Sequence, residues 1–336
     1  MASVGNAFFQ EQLMKRRERL EAVTSRNGET AEIHRLVAQV DAALARLEGG
    51  TFGICELCGG TLEPERMVAD PLTRICLDEL PPEERRRLEA DLEMASRIQR
   101  ALLPPQNLSA HGWDVHYLYE PLGLVSGDYC DLIVSPANGR AGELFFLLGD
   151  VSGKGVSASL LMSHLHAMFR SLVTTGQPLA QMLSVASRLF CESTTAGQFA
   201  TLIAGRADAN GGVEIASAGH PPALLLHCNG VTRIESGGFP LGMFSDAHFV
   251  TQKLEVCPGD ALLFYSDGVT ESRGVAGEEY GVERLSKFAE QKRSATPAEL
   301  VAGCMGELRS FSGAEPRTDD VTVMALRRAA RQAVAA

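Results

Sequence analysis

Two strongly apolar stretches of this chain run straight into an aspartate beside glycine. Leu144–Leu148 is followed by Gly149-Asp150, and Ala261–Tyr265 by Ser266-Asp267-Gly268. An apolar strand that ends this way presents a carboxylate where the backbone leaves a sheet, and glycine lets a ligand and its waters come close. Two more acidic points share the pattern: Asp128 in S-G-D-Y-C-D, with Asp131 after it, and the pair Asp319-Asp320 directly before the strand Val321–Leu326. Any one of these acids alone reads as a turn or N-cap residue. Four at strand ends are harder to dismiss, because converging carboxylates repel one another unless a cation sits among them. Hard divalent cations do this with oxygen ligands and retained waters, and two such ions close together form the arrangement used for phosphoryl hydrolysis. The Gly149–Gly155 segment is not a phosphate-binding loop: only three residues separate Gly149 from Gly153-Lys154, Gly155 follows the lysine, and Asp150 would repel an anion there.

The rest of the sequence frames these acids. A length of 336 residues suggests two domains, and 45% hydrophobic with 22% charged residues suits a globular chain with a real core. Net charge is −11, which argues against nucleic-acid or anionic-membrane binding. No apolar run approaches the ~18 residues of a membrane span, and the first residues lack the pattern of a signal peptide. The expectation is a cytoplasmic protein. From residue 113 short strands are expected at Trp113–Tyr119, Tyr129–Val134, Leu144–Leu148, Ala200–Arg206, Val213–Ser217, Ala223–His227, Phe249–Val256, Ala261–Tyr265 and Val321–Leu326. Helices are expected at Ser157–Thr174, Leu179–Ser193, Val282–Gln291 and Pro297–Ser310. Runs of strands broken by helix pairs predict an α+β sandwich with antiparallel sheets.

Upstream, residues 7–48 read as two helical arms reversing at Ser25-Arg26-Asn27-Gly28, the second with Ile33, Val37, Val40, Leu44 and Leu47 on one face. A charged helix then runs from Glu83 to Pro104-Pro105. Its seam of Leu88, Leu92, Ala95, Gln99 and Leu102, broken by the polar Gln99, suits either packing within its own domain or pairing with a second copy as a homodimer.

Read in order, A-S-R-I-Q-R-A-L-L-P (95–104), V-S-G-D-Y-C-D, G-D-V-S-G-K-G, A-G-H-P-P-A-L-L, Y-S-D-G-V-T-E and D-D-V-T-V resemble the SpoIIE/RsbU-type bacterial members of the metal-dependent PPM serine/threonine phosphatases, over residues 92–328. The resemblance implies an α-β-β-α sandwich with a pair of Mn²⁺ or Mg²⁺ ions at one edge of the sheets. It also implies that Asp150 bridges the two ions, that the Val151 carbonyl is a further ligand, that Asp267 and Asp319 complete one shell, and that Asp128 completes the acidic set. The roles of Asp131 and Asp320 stay open, and His220 is read as a structural histidine in its loop. The implied reaction is hydrolysis of phosphoserine or phosphothreonine on a partner protein of anti-anti-sigma (STAS) type by a metal-activated water. Neither Cys130 nor Cys191 is needed as a nucleophile. The rival reading is a non-catalytic scaffold or a transcription-associated zinc-finger protein.

Of eight cysteines, those at 130, 191, 228, 257 and 304 read as inert buried thiols, while Cys55-x2-Cys58-x17-Cys76 has zinc-site spacing with one ligand missing. Glu79, or Asp78, stands at the fourth position. Residues 40–76 resemble the DksA/TraR zinc-finger family, although the S-R-N-G-E-T segment lacks that family's acidic tip. The expected organisation is a hairpin and zinc-finger module over 1–80, a linker helix over 81–105, a phosphatase domain over 106–328 and a tail over 329–336. The first module is expected to regulate the phosphatase domain through the linker helix.

Overall fold

The computed structural model describes residues 9–10, 12–18, 20, 31–63, 66–67, 70–135, 142–194, 197–235, 237–313, 315 and 317–330. The Ser25–Gly28 reversal, the Ile33 side chain and the end of the tail lie outside the described residues. The chain divides into two compact units, Met1–Leu92 and Glu93–Ala336. Among the described residues no helix is long and apolar enough to cross a membrane.

In the first unit, helical residues between 9 and 20 accompany α1 (Ala31–Glu48). Leu13, Val40 and Ala43 bury a small core with Leu20, Leu44 and Leu47 packed against it, the face that the three- and four-residue spacing predicts. Beyond α1 most of the described residues between 49 and 80 lie in turns and loops, with a separate small core of Phe9, Cys55, Leu62, Met67 and Cys76. Helix α2 (Pro82–Leu102) follows and contains the boundary between the units.

The second unit holds two antiparallel sheets. Its strands are β1 (Asn107–Ala110), β2 (Trp113–Glu120), β3 (Asp128–Val134), β4 (Glu143–Val151), β5 (Ala200–Asp208), β6 (Gly212–Ala218), β7 (Ala223–His227), β8 (Gly230–Ile234), β9 (Thr251–Glu255), β10 (Ala261–Tyr265) and β11 (Val321–Arg328). Their order is β1-β2-β11-β10-β7-β8 in one sheet and β3-β4-β5-β6-β9 in the other. Helices α3 (Gly155–Val173) and α4 (Leu179–Ser193) cover the five-stranded sheet. After the short α5 (Asp267–Thr270), α6 (Gly281–Gln291) and α7 (Pro297–Ser312) cover the six-stranded sheet. The result is the expected α-β-β-α sandwich.

Strand parity explains the layers. In β4, Leu144, Phe146 and Leu148 enter the core between the sheets, whereas Phe145, Leu147 and Val151 face the helices. In β11, Met324 and Leu326 face inward while Val321, Val323 and Ala325 face α6 and α7. Strands buried on both faces read as continuous apolar runs, which is why β4 and β10 were evident in the sequence.

Two expectations need correction. The strand expected over Phe249–Val256 is assigned only over Thr251–Glu255: Phe249 is buried outside the ladder, Val250 is exposed, and Val256 adds a single bond from its amide to the Gly211 carbonyl. The five scattered cysteines are not uniformly buried: Cys130 and Cys304 are, Cys191 is intermediate, and Cys228 and Cys257 are exposed, each in a polar turn next to a strand.

Candidate active site

Register brings the first two acids together. In the β3–β4 ladder Asp128 is the cross-strand partner of Asp150, and Asp150 in turn faces Thr201 of β5. Both aspartates share parity with the residues that face the other sheet, so their carboxylates meet the ends of β10 and β11. There the Thr322 hydroxyl of β11 donates to Asp128 Oδ2 at 2.5 Å, and the Asp128 amide donates to Ser126 Oγ at 3.0 Å. Asp267 opens α5 directly after β10. Its neighbour Gly268 packs so tightly on the loop before β11 that a Cβ there would stand 2.0 Å from the Asp320 carbonyl. Only glycine therefore allows Asp267 and Asp319 to approach.

The electrostatics record the convergence. Burial, then Asp128, Asp267, Asp319 and Asp320, push Asp150 up to about 9. Burial, Asp320 and Asp267 push Asp128 up to about 8. Burial and Asp319 raise Asp267, and burial with Asp267, Glu279 and Asp319 raises Glu271, an acid of the Y-S-D-G-V-T-E segment that sequence reasoning missed. Its signal was present: Glu271 lies four residues after Asp267, one helical turn on. Opposing these charges is Lys154, whose ammonium donates to Asp319 Oδ2 at 2.9 Å and to the Thr318 carbonyl at 2.6 Å. The acids are thus in excess. A surplus of buried carboxylate oxygens at one sheet edge, with the Val151 carbonyl 3.0 Å from where a Cβ on Gly127 would stand, is a donor set that fits hard divalent cations.

The two acids left open in the sequence have other work. Asp131 has the opposite parity from Asp128, so it points to the helix layer. There its buried carboxylate accepts from Arg170 Nε at 2.8 Å and Nη2 at 2.6 Å, with His166 Nδ1 at 3.5 Å. Asp320 accepts from the backbone amides of Leu122 at 2.6 Å and Gly127 at 3.0 Å, which ties down the loop leading into Asp128. The same loop is held from α2. Gln99, the polar break in the helical seam, is 3% exposed; its amide donates to the Ser126 carbonyl at 2.7 Å and accepts from the Ser126 amide at 3.0 Å. His220 is buried with Nδ1 3.1 Å from Thr201 Oγ1, and burial pulls it down to about 3, so it is neutral. Neither free thiol is poised as a nucleophile: burial raises Cys130 far above the ordinary range, and Cys191 donates to the Gly242 carbonyl at 3.0 Å.

In the other unit, the sulfurs of Cys55, Cys58 and Cys76 lie within 4.8 Å of one another; among the described residues no other trio of histidine, cysteine or acidic ligands comes as close. Backbone amides point at them, Cys76 N to Cys55 Sγ at 3.3 Å and Gly60 N to Cys58 Sγ at 3.4 Å. Amides of Cys58 and Cys76 pull the Cys55 thiol down to about 6, while burial and the two neighbouring cysteines push Cys76 up to about 11. Cys55 therefore favours the thiolate, while Cys76 favours the thiol unless a cation sits among the sulfurs. Neither Glu79 nor Asp78 joins the trio, so the described residues supply three ligands.

Comparison with known proteins agrees with the second unit. The chain is 27% identical to Protein IcfG of Synechocystis over 267 residues, 71% of this chain but 41% of that protein. It is 27% identical to phosphoserine phosphatase RsbU of Bacillus subtilis over 250 residues, 72% of this chain and 71% of the relative. A solved structure of the RsbU and RsbW domains of a Mycobacterium tuberculosis protein superposes with a TM-score of 0.57 at 28% identity, covering 68% of this chain and 62% of that one. The chain therefore spans less than two thirds of IcfG and of the mycobacterial structure. The family model for Stage II sporulation protein E (SpoIIE) matches residues 140–329, which include Asp150, Asp267 and Asp319, and with more than half of its length matched this chain belongs to the SpoIIE family.

Proposed function

We infer that the chain hydrolyses phosphoserine or phosphothreonine on a partner protein, with the partner of anti-anti-sigma (STAS) type. The observation that carries this reading is the convergence of Asp128, Asp150, Asp267 and Asp319, from both sheets, on one edge with more negative charge than the protein itself balances. Asp150 is the residue to hold both Mn²⁺ or Mg²⁺ ions, the Val151 carbonyl a further ligand, Asp267 and Asp319 the ligands of one ion, and Asp128 the remaining acid. When bound, such a pair supplies the charge that activates water for in-line attack on phosphorus and neutralises the phosphoryl oxygens.

The chain's own residues do the rest. Thr322 and Ser126 fix the Asp128 carboxylate and backbone, and Asp320 and Gln99 hold the loop that leads to it. His220, neutral and bonded to Thr201 opposite Asp150, supports the strand edge without exchanging protons near neutrality. No side chain needs to become phosphorylated.

The phosphatase domain is read as residues 106–328 and the cytoplasm as its location. Residues 1–80 are read as a DksA/TraR-like module whose three cysteines hold zinc. This module regulates through the linker helix over 81–105, which is also the surface for a homodimer. Hydrolysis of p-nitrophenyl phosphate with Mn²⁺, comparing the wild type with Asp150→Asn, tests the central reading. Activity that survives the substitution would defeat it, and turnover unchanged on deletion of residues 1–80 would defeat the regulatory part.

A further inference from the structure

A phosphomonoester is a dianion, and the edge that would receive it is built from acids. Asp128 and Asp150 are cross-strand partners there, and Asp319 stands within hydrogen-bond reach of Lys154, so a phosphoryl group arriving at this edge needs a cation of the chain's own to meet it. Among the described residues Lys154 is a cation that reaches this edge, its ammonium 2.9 Å from Asp319 Oδ2. Arg317 and Arg170 bond to other groups, Arg317 to Glu120 and the Pro121 carbonyl and Arg170 to the buried Asp131.

The lysine is built to change partners. Its side chain is 41% exposed, and an ion pair that open to water is weak and exchanges readily. An ammonium has three donors on a flexible stem, and Asp319 and Thr318 take two of them. Lys154 stands between Gly153 and Gly155, both at positive φ, and a Cβ on Gly153 would meet nothing within 4 Å, so the space beside it is open. It is also the N-cap of α3, a helix start with no side-chain cap and no acid in its first turn, where backbone amides favour an anion.

We propose that Lys154 is the phosphate-binding residue of the site, its ammonium passing from the Asp319 carboxylate to a non-bridging oxygen of a dianionic phosphomonoester. The assignment rests on the phosphatase reading above. It makes a motif that fails as a phosphate-binding loop an anion contact by another route, through one mobile charge in place of a backbone cradle.

The test uses the full chain with three variants, Lys154→Met, Lys154→Arg and Asp150→Asn, and inorganic phosphate as the probe. Losing a charge-assisted hydrogen bond raises the phosphate inhibition constant and the KM for p-nitrophenyl phosphate by about 10- to 100-fold in Lys154→Met, with a smaller fall in kcat. Lys154→Arg keeps most of the affinity. Circular dichroism and melting confirm that each variant folds, and calorimetric titration with phosphate in the presence of Mg²⁺ gives the affinity without turnover. Phosphate affinity unchanged in Lys154→Met overturns the proposal. So does a loss matched by an equal loss of Mn²⁺ affinity, which would mean that the lysine acts only on the acids. Full hydrolysis by Asp150→Asn would instead defeat the phosphatase reading, and the calorimetric arm would still decide the role of Lys154.

Discussion

The two units gather negatively charged ligands by opposite means. The carboxylates come from strand ends spread from residue 128 to residue 319, held by two sheets and three large cores. The sulfurs come from residues 55 to 76, in turns whose core is five buried side chains. In the first case the fold makes the site and the site costs the fold stability, because raised acids are acids the fold would sooner protonate. In the second the apolar core is small, and on the zinc reading proposed above a bound ion would contribute much of the folding energy. On the reading proposed above, hard oxygens and soft sulfurs would also divide the metals, Mn²⁺ or Mg²⁺ for the former and zinc for the latter.

The largest expected effect separates the two on this basis. A zinc chelator abolishes amide-exchange protection across residues 51–80 while β4, β5 and β11 stay protected; equal loss in both regions, or in neither, breaks the contrast. Next is Asp150→Asn, which lowers hydrolysis by on the order of 1,000-fold, as expected when a preorganised charge is lost, and leaves the zinc content of the purified chain unchanged. Smaller again is Arg170→Ala. It strands the buried Asp131 carboxylate and destabilises the second unit by about 3 kcal/mol in denaturant melts, with Mn²⁺ affinity unaltered. Altered Mn²⁺ affinity would mean that parity had not separated Asp131 from the site.

The remaining effect is on pH dependence. In the metal-free fold burial and the neighbouring carboxylates push Asp128 up to about 8 and Asp150 up to about 9, against about 3.9 in an unfolded chain. The folded chain therefore holds protons that the unfolded chain releases. That stabilisation is complete below about pH 4 and is lost as pH rises through the folded values. Melting temperature in a chelator should fall by several degrees from pH 6 to pH 9, and saturating Mn²⁺ should flatten the slope. A metal-free melting temperature that rises across this range contradicts the assignment.

Much of the fold was legible because its strands are apolar on both faces and its helices have one clear stripe. β1, with the sequence Asn-Leu-Ser-Ala and no buried side chain, and β8, five residues directly after the Cys228-Asn229 turn, offered no such pattern. The site acids were visible as residue types at strand ends. Their division of labour was not. Whether Asp128 or Asp131 faces the cluster depends on the parity of β3 against the opposite sheet, and the clamp that Asp320 places on Leu122 and Gly127 joins residues 198 and 193 positions apart. Gln99 broke a heptad for the same reason: its partner is a backbone segment in a distant loop.

The most direct test of the account is a Mn²⁺ titration of the zinc-loaded chain, followed by electron paramagnetic resonance, for the wild type and Asp150→Asn. The account predicts two Mn²⁺ ions per wild-type chain and loss of that binding in the variant. A wild-type chain that takes up no Mn²⁺, or a variant that binds it as tightly, would contradict it.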